Sequence, residues 1–274
     1  MHDASKDKQN KVYPTNGQAF DVAHLTLSDV SDIVQRGIAD LKAAPVVSVA
    51  IASIYTVGGW LLAALLLVLD LPYLVYPLAM GFALIAPFVA VAFYDVSRRL
   101  ERGEAAAIAA VWSSVREAMR RDVRWMALIT GFAFFIWLDI AAMITLTFFG
   151  AKALDFKSLA EAILTTDTGW LFLFVGHAAG AIIALLTFSI SVVSFQMLFD
   201  RNVDVMTAMA TSVRLSKRNP VAMGTWCIVI ALSLGLAVLS GLLFLPAVLP
   251  VLGYASWHLY RRAVRSAADT GDMR

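Results

Sequence analysis

Long apolar runs alternate with short charged ones along the 274-residue chain. Each run is close to the ~20 residues that a helix needs to cross a ~30 Å hydrocarbon core. Six spans are predicted: Pro45–Leu69, Pro72–Asp95, Trp125–Phe149, Trp170–Leu198, Pro220–Ser240 and Leu242–Tyr260. Little but Ser240-Gly241 separates the last two. Pro87 falls within the second run, and Pro246 and Pro250 within the sixth. Each removes a backbone donor and should kink its helix. The expected fold class is all-α: a polytopic membrane protein with six transmembrane helices in three hairpins.

A different period precedes each pair of runs. Val30, Ile33, Val34, Ile38 and Leu41 recur at helical spacing. So do Ile108, Val111, Trp112, Val115 and Met119, with Arg116, Glu117, Arg120 and Arg121 opposite. The third stretch has Met206, Met209, Ala210 and Val213, with Arg214 and Lys217 beyond. The pattern predicts amphipathic helices in the cytoplasmic interface, apolar face on lipid and basic face toward anionic headgroups. A shorter outer helix is expected over Lys152–Thr166, with Phe156, Leu159, Ala160 and Ile163 on the membrane.

The units echo one another. Ser113-Ser114-Val115-Arg116 parallels Thr211-Ser212-Val213-Arg214, and Lys42-Ala43-Ala44-Pro45 parallels Lys217-Arg218-Asn219-Pro220. The stretch from Pro87 to Arg99 lines up with that from Pro250 to Arg262, placing Asp95 opposite His258. Three pseudo-repeats follow, 27–99, 104–201 and 203–265. They lie between a polar tail, 1–26, read as disordered, and a second tail, 266–274. Repeats are common in transporters, yet duplication also builds inert scaffolds.

Composition agrees. Apolar residues are 60% and charged residues 15%, against about half and about a quarter in soluble domains. Mean hydropathy is +0.75. Of the 22 Lys and Arg, only Lys152 and Lys157 fall on one side of the six-span arrangement. The positive-inside rule then makes both termini cytoplasmic. The first 24 residues show no apolar core, so no cleaved signal peptide is read. Cys227 stands alone, which excludes an intrachain disulfide and a CxxC site.

Ionisable groups inside a span are site candidates by default. Asp139 lies roughly 21 Å past Trp125 and His177 roughly 10 Å past Trp170 at 1.5 Å per residue. Both then sit at similar depth in one hairpin, where they could form a polar clasp or a proton relay. Asp95 and His258 sit about one turn from the cytoplasmic boundary. They read as interface anchors together with Arg98, Arg99, Arg261 and Arg262, reaching water or Arg98 and Arg261 by snorkelling. Tyr94, Trp257 and Tyr260 read as an aromatic belt. His177 and His258 are near opposite faces, so they cannot share one haem iron. No HExxH, Walker loop, GxSxG or paired-carboxylate metal spacing is present. No cofactor is expected.

The blocks PLAMGFALIAPFVAVAFYDVSRRLERGE, DRNVDVMTAMATSVRLSKRNPVAM and LPVLGYASWHLYRRAV resemble the bacterial integral membrane proteins grouped as domain of unknown function 2189, from about Leu27 to Arg265. Some members carry the label putative cytochrome c oxidase component, and the resemblance implies a respiratory oxidase as partner. The expected function is a non-enzymatic accessory, assembly or scaffold protein of the bacterial inner membrane, bound to the lipid bilayer and to no nucleic acid. The alternative is a proton- or ion-coupled transporter using Asp139 and His177.

Overall fold

The computed structural model describes residues 20–68, 89–120, 123–150 and 156–265. Among these the chain is helical almost throughout. A capping box starts α1 (Leu27–Ala43): Thr26 N–H donates to Asp29 Oδ2 at 2.6 Å, and Asp29 N–H to Thr26 Oγ1. At Ala44 the backbone breaks (φ −132°, ψ 57°) and Pro45 opens α2 (Pro45–Val68), where proline's missing donor costs nothing. Helix α3 covers 89–101, followed by α4 (Ile108–Arg120), α5 (Val123–Phe149), α6 (Phe156–Thr165) and α7 (Asp167–Ser191). After a break at 192–193 come α8 (Ser194–Asp200), α9 (Val205–Arg218), α10 (Pro220–Leu239) and α11 (Leu245–Ala263). The α9–α10 joint repeats the α1–α2 joint: Asn219 has φ −130° and ψ 56°, and Pro220 follows.

Among the described residues, four helices are long and apolar enough to cross a membrane, over Pro45–Ala64, Val123–Phe149, Asp167–Asp200 and Pro220–Leu239. These match the first, third, fourth and fifth expected spans, with ends moved by a few residues. The second, Pro72–Asp95, lies outside the described residues up to 88. The sixth corresponds to α11, which is not among the four. His258, Arg261 and Arg262 dilute its hydropathy, and its aromatic side faces protein: Tyr254, Trp257 and Tyr260 are buried.

The expected amphipathic helices do form, but part of each apolar face packs on other helices. Val30, Ile33 and Gly37 of α1 are buried, and α1 lies along α11. The approach is close: a Cβ on Gly37 would come within 2.7 Å of Val251 O. In α4 the buried residues are Val111, Val115 and Ala118, with Trp112 exposed. In α9 they are Ala208, Thr211, Ser212 and Leu215, while Met206 and Ala210 face out. The buried stripe of α9 is small and hydroxylated because it packs on other helices, where Ser212 Oγ donates to Ser189 O of α7. The outer helix is present as α6, and the carbonyls of Ala162 and Ile163 leave no room for a side chain on Gly169.

The first and last described segments meet. Strand β1 (Asp21–Val22) pairs antiparallel with β2 (Val264–Arg265). Asn219 supports the join, accepting from Leu25 N at 2.7 Å and donating to Ala23 O at 3.0 Å. The turn from α10 to α11 runs through Gly241 (φ 63°) and Leu242 (φ 69°), a left-handed pair that is strained at Leu242. Trp60 Nε1 of α2 donates to Gly241 O at 2.8 Å and ties that turn to the first span.

Candidate functional site

Polar groups concentrate where α1, α3 and α11 cross. Asp95 of α3 is 0% exposed. Arg98 Nη2 lies 2.6 Å from its Oδ1 and Arg99 Nε 2.7 Å from its Oδ2. Spacings of three and four put these partners on Asp95's own face of the helix. Arg99 continues to Ser114 Oγ of α4 at 3.2 Å, and the Arg98 guanidinium lies 4.2 Å over the Phe199 ring of α8. The expected pairing with Arg98 is found, but snorkelling is not. Asp95 stays inside and the arginines come to it, because α4 and α8 cover this end of α3.

His258 differs more from expectation. Its Nε2 lies 2.8 Å from Asp40 Oδ2 of α1, and its Nδ1 lies 3.8 Å from Glu101 Oε1 of α3. Ser97 Oγ donates to the same Asp40 oxygen at 2.5 Å. Arg261, the expected partner, pairs instead with Glu101 at 3.4 Å, and Arg262 pairs with Asp29 and Asp32. His258 is thus a cross-helix link, not an anchor to water.

The expected aromatic belt is core. Trp257 and Tyr260 are 0% exposed and Tyr94 6%. Tyr94 stacks on Trp257 with ring centroids 6.4 Å apart, and Phe93 meets Tyr254 edge-on at 5.5 Å. Tyr260 donates to Asp200 Oδ2 at 2.8 Å and accepts from Arg201 Nε at 2.7 Å. A deeper pair, Ser48 and Tyr254, lies 2.5 Å apart between α2 and α11.

Sequence reasoning missed Asp40, Ser97, Glu101 and Asp200. A signal for Asp40 was available: Gly37 sits inside a helix one turn away, and a mid-helix glycine marks close approach of another element. Among the described residues, no three of His, Cys, Asp and Glu gather in a group able to hold a metal ion.

The remaining candidates lie on the α5/α7 pair. His177 is exposed, and its Nδ1 lies 2.7 Å from Leu173 O. It lines an apolar groove with Trp137, Ala141, Ile144 and Gly180. Asp139 is exposed as well. It lies two residues from both Trp137 and Ala141, which is about 160° away around a helix of 3.6 residues per turn. The carboxylate therefore starts from the far side of α5, not from the side His177 faces.

Residues 75–200 match the model of a family described as a predicted integral membrane protein, DUF2189. Over that stretch the chain is similar to DUF2189 proteins. With four helices of membrane-spanning length, it is an integral membrane protein. The DUF2189 stretch holds Asp95, Arg98, Arg99, Asp139, His177 and the whole α5/α7 pair. Asp40, His258, Arg261 and Arg262 lie outside it, so the ionic network joins the DUF2189 stretch to the rest of the chain. No curated protein and no solved structure matches the chain.

Proposed function

We propose that this protein is a non-enzymatic scaffold, accessory or assembly component of a bacterial inner membrane. The observation that carries this reading is how its buried ionic groups are used. Both oxygens of Asp95 are taken by arginines of its own helix, and Asp40 is shared by Ser97 and His258. Arg99 carries the first group on to Ser114 of α4, and Asp40 ties α1 to α3 and α11, as a structural part requires. In the full arrangement six spans form three hairpins as pseudo-repeats, with both termini cytoplasmic. Two further features support the repeat: the matching backbone at Ala44 and Asn219, and Tyr94 stacked on Trp257, which the sequence echo aligns. By family resemblance the partner is a respiratory terminal oxidase.

Affinity purification from native membranes in mild detergent, with mass spectrometry and a haem spectrum, tests this reading. Co-purified oxidase subunits with haem absorbance are the expected result. A lone, haem-free protein would remove the oxidase. The transporter reading is weaker, because Asp139 and the His177 groove start from different sides of α5. Reconstituted vesicles should show no substrate or proton flux that depends on Asp139, and a flux lost in Asp139→Asn would restore the transporter reading.

A further inference from the structure

Among the described residues, α3, α5, α7 and the start of α8 line an open slot of about 660 Å³, with Ala90, Thr130, Phe134, Ala184, Thr187 and Phe195 in its walls. A second hollow of about 430 Å³ continues it, with Trp137, Gly180 and Ala184 common to both. From Ser191 to Phe172 the lining follows α7 for roughly 28 Å at 1.5 Å per residue, close to the ~30 Å of a bilayer core. The walls are almost all hydrocarbon. The hydroxyls of Thr130 and Ser191 donate to carbonyls of their own helices, at 3.1 and 2.7 Å, and so offer no donor to the slot. Such a space inside a membrane fills with hydrocarbon.

Two features indicate which hydrocarbon. The slot is pinched where α5 and α7 touch: a Cβ on Gly180 would lie 2.9 Å from the Trp137 indole. A helix about 10 Å across does not seat over a pinch, whereas a single chain threads past it. The second feature is charge at one end. Two turns beyond Ala90 on α3, and one turn beyond Phe195 on α8, the Arg98 guanidinium rests on Phe199. Arg98 is 22% exposed and gives Nη2 to Asp95. Its remaining N–H groups have no partner among the described residues. The eight residues from Ala90 to Arg98 rise roughly 12 Å, a gap that a glycerol backbone and its first methylenes bridge.

We infer that the slot binds one anionic phospholipid, with an acyl chain along α5 and α7 and the phosphate at Arg98. A water molecule takes ~30 Å³ of liquid, so the larger hollow of about 660 Å³ has room for on the order of 20 groups of that size, the scale of an acyl chain. The inference needs α5 and α7 to span the membrane and residues 69–88 to leave the slot open, and it stands whether or not a protein partner exists.

The test uses the full chain in phosphatidylcholine vesicles holding a trace of phosphatidylglycerol with a photoactivatable acyl terminus. After irradiation, adducts are mapped by peptide mass spectrometry. Labelling should concentrate on the slot-lining residues of α5 and α7. The phosphatidylglycerol probe should exceed a matching phosphatidylcholine probe about fivefold, equivalent to about 1 kcal/mol. Arg98→Gln should abolish that preference and leave the labelled residues unchanged, while Arg98→Lys should keep it. Ala184→Phe, which fills the slot, should cut labelling there for both probes. The comparison of headgroups on the unmutated protein holds even if a variant misfolds. Labels spread evenly over the outer faces of α2, α5, α7 and α10, or equal use of both headgroups, would overturn the inference. So would high-yield disulfide formation in native membranes between Ala184→Cys and a cysteine placed within residues 69–88, which would mean that the chain itself covers the slot.

Discussion

Asp95 has no solvent contact and both of its oxygens are occupied. Asp95→Asn keeps the shape but leaves Arg98 and Arg99 without their counter-charge. The arginines are partly exposed, so the cost should be about 1–3 kcal/mol rather than that of a sealed ion pair. A lowered unfolding temperature in detergent checks this. Asp29 allows a pH test. The Thr26 N–H holds its carboxyl below the usual 3.8, with the Thr26 hydroxyl and Arg262 acting in the same direction and burial opposing them. A carboxylate with a depressed folded pKa contributes stability that is fully present above the unfolded value and is lost as pH falls through the folded one. The stability gap between the protein and Asp29→Asn should therefore be constant at neutral pH and shrink below 3.8. Acid titration of both unfolding midpoints reads it. At this scale local partners were legible: spacings of three and four announce Arg98 and Arg99 for Asp95. The His258–Asp40 pair was not, because the two lie 218 positions apart and only tertiary packing brings them together.

Among the helices, periodicity located α1, α4 and α9 and identified their kind, but it misassigned what covers them. An apolar stripe looks the same whether lipid or protein faces it. The stripe of α9 was also misplaced, because hydroxyl residues such as Thr211 and Ser212 pack well between helices yet score as polar, and Ala208 beside them is too small to mark a stripe. Glycines mark the true contacts. A Cβ on Gly253 would lie 2.6 Å from Phe93 Cβ, and one on Gly37 2.7 Å from Val251 O, whereas Gly224 has open space. Gly37→Ala and Gly253→Ala should each destabilise by about 1–3 kcal/mol through overpacking. Gly224→Ala should be neutral or slightly stabilising, since alanine is the better helix former. Thermal unfolding of the three variants side by side separates the cases.

For the molecule as a whole, hydropathy showed a membrane protein and placed four of the spans. It did not show that α11 belongs to the protein interior, because burial depends on which helices lie around it. Nor did it show that the first and last described segments meet. Asn219 carries much of that closure, and Asn219→Ala leaves Leu25 N without its acceptor at a cost of about 1–3 kcal/mol. Faster amide exchange across residues 20–26, with the spans unchanged, is the expected readout. The closure also bears on synthesis. Helix α1 leaves the ribosome before the four helices of spanning length, and the surface it packs on, α11, leaves after them. The four helices of spanning length, α2, α5, α7 and α10, enter the bilayer while Val30 and Ile33 still lack their counterpart. Insertion and folding are therefore separate events here, and a chain stalled short of residue 245 would be threaded through the membrane yet keep an open, sticky end.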